Sequence, residues 1–159
     1  MDVTIARVRA ANVGVLDNVD AECFDEPIDR QRAARCVASD DVVLVVALAE
    51  AMVVGQCLAM VHRHPDKETE LYIDDLAVSP AFRRRGVGRR LVEACAHAGR
   101  EAGADSMWVG TEPDNEDANA FYQALRLARR TAVLFEGALD GDRVCQGRPG
   151  MPRGAPGPA

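Results

Sequence analysis

The chain has 159 residues, 48% hydrophobic but only 4% aromatic, with a formal net charge of −6 and a pI near 5.1. One domain of this length buries a real core, here necessarily aliphatic and alanine-rich. The acidic balance disfavours a general nucleic-acid binder and suits a cationic ligand. The five cysteines (Cys23, Cys36, Cys57, Cys95, Cys145) are odd in number, scattered, and form no Cys-x-x-Cys, so they read as reduced core residues in place of a disulfide or metal framework. Charges at Asp2, Arg7 and Arg9 interrupt any signal-like opening, and the longest apolar run, Val42–Ala49, is too short to span a bilayer. The expectation is a cytoplasmic protein with no membrane segment.

Residues 3–9 predict a first strand. Residues 12–23 place Val13, Leu16, Val19 and Cys23 at helical spacing, and 29–38 predict a second, short helix after an Asp25-Glu26-Pro27 loop. Asp17, Asp20, Glu22, Asp25, Glu26 and Asp29 crowd this region; their plain reading is a solvated face, their functional reading an acidic wall. The β-branched runs Val42–Ala49 and Met52–Val61, joined by Glu50-Ala51, predict a hairpin in the middle of a sheet. His62 and His64 fall in the next turn without a third ligand at useful spacing, so no metal site is expected.

Residues 71–92 organise the chain. Leu71, Ile73, Leu76 and Val78 mark a strand that stops at Ser79-Pro80, and its alternation breaks at Asp74-Asp75, where a bulge would re-aim one carboxylate. Arg83-Arg84-Arg85-Gly86-Val87-Gly88 follows and opens a helix over 86–102. Glycines let successive N–H groups converge, the helix start adds its positive dipole end, and the arginines add charge: these are the parts of a phosphate cradle. The helix buries Val87, Leu91, Cys95, Ala98 and Ala102, and Gly103 caps it. Ser106–Thr111 predicts another strand, Glu112–Asp117 an acidic loop, 118–127 a helix, and Ala132–Leu139 a last strand. The tail over 140–159, with five glycines and four prolines, is expected to be disordered, leaving a domain over 1–139.

The segment Leu76-Ala77-Val78-Ser79-Pro80 followed by Arg83-x-x-Gly86-x-Gly88 resembles the acyl-CoA signature of the GNAT superfamily of N-acetyltransferases. The order β-α-α-β-β-β-α-β-α-β, an α/β mixed sheet with helices on both faces, resembles that fold over roughly residues 3–139. The resemblance implies acetyl-CoA as co-substrate. Backbone amides around Arg83, Arg84, Arg85, Gly86, Val87, Gly88 and Arg89 would take its pyrophosphate, and Leu76, Ala77 and Val78 would lie along the pantetheine arm. That strand would splay from its neighbour, and an N–H between Leu76 and Val78 would face the oxyanion. The stretch Asn115-x-x-Ala118-x-x-Phe121-Tyr122 resembles a second family segment, with Asn115 toward pantetheine and Tyr122 as the acid that protonates the departing thiolate. Where many relatives carry glycine after this helix the chain has Arg126, so a different helix end is expected.

Acetyl transfer to an amine needs a base, because aliphatic amines of pKa about 8 to 10 are mostly protonated at neutral pH. Asp74, Asp75 and Glu70 on the central strand, and Glu112 and Glu116 after the next, are the candidates. Asp75 is placed first, since a carboxylate among apolar residues beside a cleft has a raised pKa. Within the superfamily, Glu70-Leu-Tyr-Ile-x-Asp75-Leu-Ala-Val is most similar to the small aminoglycoside 3-N-acetyltransferases. That implies a polycationic amine substrate met by Glu70, Tyr72, Asp74, Asp75, Glu112 and Glu116, acetylated at a 3-amino group. A protein N-terminus, a lysine or a polyamine as acceptor, and a non-catalytic acyl-CoA sensor, are the alternatives. Relatives of this kind are commonly homodimers, so a second copy is carried as an expected partner.

Overall fold

The computed structural model describes residues 2–135, 137, 139–140 and 143–144. Five strands form one sheet in the order β1 (Thr4–Val8), β2 (Val42–Ala49), β3 (Met52–His62), β4 (Glu70–Val78), β5 (Ser106–Val109). The first four pair antiparallel and β5 joins β4 in parallel. Among the described residues three α-helices accompany them: α1 (Arg30–Val37), α2 (Val87–Glu101) and α3 (Glu116–Ala124). The α/β mixed sheet expected from the sequence is therefore present.

Because alternate strand residues face opposite ways, the sheet makes two cores. On one face Val43, Val45, Cys57, Ala59, Leu71, Ile73 and Leu76 pack under Leu91, Val92, Cys95 and Ala98 of α2. On the other, Val8, Leu44, Val46 and Val53 pack against Leu16, with Val13, Ile28, Ala33 and Val37 over them. The α2 contact is close: a Cβ on Gly99 would meet Leu71 Cδ2 at 2.8 Å, so glycine sets the approach of helix to sheet.

Two expected elements differ. Residues 12–23 do not form an α-helix; Ala10–Asp17 is a 3₁₀ stretch, kinked at Asn12, and Val19 bridges Val53 in parallel. Asn18 and Asp20 are held by main-chain bonds to Val53, and Asn18 also reaches the Ala51 carbonyl, so pairing to β3 overrides the helical spacing. At the other end, Thr131–Phe135 is not a strand, and Val133, Leu134 and Phe135 are exposed. Leu139–Asp140 instead pairs with Arg143–Val144 in a separate two-residue hairpin. The rest of the tail expected over 140–159 lies outside the described residues.

Candidate active site

The site is made by a defect in β4. Met60 faces Tyr72 and Ala59 faces Ile73, but Leu58 faces Asp75, so Asp74 is the extra residue of a bulge. One inserted residue shifts the facing of all that follow: Asp75 comes to share the face of Tyr72, which unbroken alternation would have denied it. On the far side, β5 pairs with Glu70–Ile73 only, and β4 runs on through Asp74–Val78 without a β5 partner. This is the splay expected beside a thioester arm.

Asp75 is half-buried, and Nε2 of the buried Gln56, on β3, donates to its Oδ2. Burial pushes the Asp75 carboxyl up and the Gln56 bond opposes it, while the charges of Asp25 and Asp74 raise it further. Gln56 Oε1 has no partner among the described residues. The Gln56 contact gave no sequence signal, since a glutamine inside a β-branched run is ordinary.

Tyr122 comes from α3. Asn115 caps that helix by accepting from Ala118 N, and Asn119 Nδ2 donates to the Glu112 and Asn115 carbonyls, fixing the acidic loop. Phe121 then lies over Gly88, where a Cβ would sit 3.3 Å from its ring. This packing places Tyr122 on the core edge, and its phenol is pushed up by burial, then by Cys57, Asp75 and Tyr72. A phenol raised in this way stays protonated at neutral pH. The helix end expected to differ does not: Arg126, at φ 63°, takes the left-handed position itself. Leu127 N bonds Tyr122 O and Arg126 N bonds Gln123 O, the two bonds of a Schellman cap.

The cationic loop lies beyond the end of the splayed strand. Gly86, at φ +77°, is the residue before α2, and Val87 and Gly88 begin the helix with their main-chain N–H groups unpaired along it. The arginines divide. Arg83 Nε donates to Val78 O at 2.8 Å and closes the loop onto β4; Arg85 sits 5.5 Å over the Phe82 ring. Arg89 donates to Ala124 O, tying α2 to α3, while Arg84 is exposed at φ 59°. Ser79 is buried, and its hydroxyl donates to Asp20, so the N-terminal segment is fastened to the root of the loop.

The remaining expected residues are not all in the groove. Glu70 is at the opposite end of β4, within 3.2 Å of His64 and 3.5 Å of Lys67. Glu112 and Glu116 are exposed on either side of the turn before α3, and Asp74 is exposed at the bulge. Of the N-terminal carboxylates, Asp17 pairs with Arg30, Asp20 accepts from Ser79 and Asp29 caps α1, while the charge of Asp25 raises Asp75. His62 stacks toward Tyr72. A cavity of about 450 Å³ beside the loop is lined by Asp2, Val3, Thr4, Arg85, Val87 and Arg90, and another of about 90 Å³ lies between Leu16 and Ala33. Neither is lined by Asp75 or Tyr122.

A splayed central strand, a bulge carboxylate, a glycine-bent helix start and a helix tyrosine together suit transfer of an acyl group from a thioester. The profile of the acetyltransferase (GNAT) family matches residues 14–126. The chain belongs to this family.

Among curated GNAT relatives, the aminoglycoside N(6')-acetyltransferase type 1 of Salmonella typhimurium is 28% identical over 102 residues, 61% of this chain and 70% of that protein. An uncharacterised N-acetyltransferase of Lactobacillus delbrueckii subsp. lactis is 32% identical over 65 residues, 41% of this chain and 38% of its own. Solved GNAT structures share the fold. An aminoglycoside acetyltransferase from an uncultured soil metagenomic sample superposes with a TM-score of 0.75 at 24% identity, over 88% of this chain and all of the other. The aminoglycoside N-acetyltransferase AAC(6')-Iy in complex with CoA gives 0.74 at 20% identity, over 87% and 96%.

Proposed function

We propose that this GNAT protein acetylates an amine of an aminoglycoside, with acetyl-CoA as co-substrate. The observation that carries the reading is the bulge. It sets Asp75 on the same face as Tyr72, next to a length of β4 left without a β5 partner.

Asp75 accepts the proton that the incoming ammonium must lose, directly or through one water. The neutral amine then attacks the thioester carbonyl, held in line by the groove, and main-chain N–H groups between Leu76 and Val78 face the developing oxyanion. Tyr122 donates its phenolic proton to the sulfur as the C–S bond breaks. The loop through Arg84, Arg85, Gly86, Val87 and Gly88 holds the diphosphate on main-chain N–H groups at the start of α2. Arg83 and Arg89 shape that loop from behind in place of meeting the anion. Asn115 supports the arm by fixing the start of α3.

The acceptor reading is supported by charge and by relatives. Asp25, Asp74 and Asp75 gather at one end of the groove, and Glu112 and Glu116 flank the start of α3, in an acidic chain that attracts a polycation. Three of the four relatives named above are aminoglycoside acetyltransferases by name, and related structures hold sisomicin and a CoA–acetylneamine bisubstrate analogue. The sequence resemblance points to a 3-amino group, whereas the Salmonella relative is named for the 6' position. Thiol release from acetyl-CoA with sisomicin, neamine, spermidine and lysine peptides tests the acceptor class, and NMR of the product reads the acetylated nitrogen. The expected result is turnover of the aminoglycosides; turnover confined to peptides or spermidine overturns the reading.

A further inference from the structure

Three aromatic rings from three adjacent strands lie together on the sheet face turned away from α2. Trp108 in β5 and Tyr72 in β4 are direct cross-strand partners, with ring centroids 4.2 Å apart and planes inclined by 31°. His62 in β3 completes the group, 5.7 Å from Tyr72 and 6.1 Å from Trp108. Their neighbours in sequence, Leu71, Ile73 and Met107, face the α2 core, so the strand period turns these rings the other way. The bulge brings Asp75 to this same face, about 7 Å along β4 from Tyr72. Trp108 is 45% exposed.

We propose that Trp108, Tyr72 and His62 form an acceptor shelf, a stacking surface for the apolar face of an amino-sugar or aminocyclitol ring that points its amine at Asp75. This rests on the aminoglycoside reading and adds the residues that select for a ring. Aromatic faces are negative, and they attract the polarised C–H groups and the ammonium substituents of such a ring. Rings already stacked on one another lose little freedom when a ligand arrives, so the surface is preorganised. A linear polyamine offers the carboxylates the same charge but has no ring face to lay on the shelf.

Trp108 is the chain's only tryptophan, so its emission reports on the shelf alone. Full-length protein without acetyl-CoA is titrated with sisomicin and, at matched ionic strength, with spermidine. The expected result is a saturable change in emission with sisomicin and none with spermidine. In steady state, Trp108→Ala raises the KM for sisomicin by about tenfold or more. The turnover number and the KM for acetyl-CoA stay within about twofold, and Trp108→Phe restores most of the loss. Equal emission changes with both amines, or an unchanged sisomicin KM in Trp108→Ala, overturns the shelf and leaves the aminoglycoside reading standing. Absence of sisomicin turnover by the wild-type protein overturns both.

Discussion

Asp75 and Tyr122 are both pushed toward their neutral forms by burial, and the two shifts have opposite uses. In the proposed reaction the phenol keeps its proton until the sulfur leaves, and its raised pKa suits that role. The carboxyl needs to release its own before it can serve as a base, so the acidic limb of kcat/KM should lie above the ordinary aspartate range near 3.9. Tyr122→Phe should lower kcat by about 10² or more while the KM for acetyl-CoA moves little, measured by thiol release. Asp75→Asn should lower kcat/KM comparably and abolish that limb. Its effect on stability has the reverse sign. With the folded pKa raised, the native state holds its proton longer than the unfolded chain, so stability present below about pH 4 is lost as pH rises through the folded value. Asp75→Asn should therefore melt higher than wild type at pH 7 and equal to it near pH 3; a lower melting temperature at pH 7 would show that the Gln56 bond outweighs burial. At this scale the sequence was partly legible. The type and place of Asp75 were readable, but its Gln56 partner depends on register, which no single residue announces.

Among elements, the strand–loop–helix through 70–101 was legible because its signals are local: alternation, a broken step at two aspartates, Ser-Pro, and glycines at a helix start. The 3₁₀ stretch Ala10–Asp17 was not, because long-range pairing of Val19 with Val53 decides it. Two predictions belong here. Gly86→Val should weaken coenzyme binding strongly in a direct titration; space around a Cβ there is open, so the cause is the φ of +77°, which valine resists. Arg126→Gly should raise stability by about 1 kcal/mol, since arginine holds a left-handed cap position that glycine takes without steric cost. Chemical denaturation reads the difference, and a destabilised variant would mean that the Arg126 side chain contributes more than its backbone strain costs.

For the whole molecule, one sheet with unlike faces separates two tasks. One face is closed by α2 and fixes the strands; the other is closed only in part, by the N-terminal segment, and leaves Asp75, Tyr72 and Trp108 on an accessible side. The Gly99–Leu71 contact holds the helix against β4, and Gly99→Ala should cost roughly 1–3 kcal/mol by overpacking it. No helix among the described residues is long and apolar enough to cross a membrane. The stretch Ala132–Leu139 reads as a strand in sequence, yet strand formation also needs a partner edge, and its described part over 132–135 pairs with none of the five strands. Coenzyme binding along the unpaired end of β4 and at the start of α2 is read by titrating ¹⁵N-labelled protein with coenzyme A and following amide ¹H–¹⁵N shifts. The largest saturable changes are expected at Leu76–Val78 and Arg84–Gly88. Saturable binding that leaves those amides unmoved would place the coenzyme elsewhere on the protein.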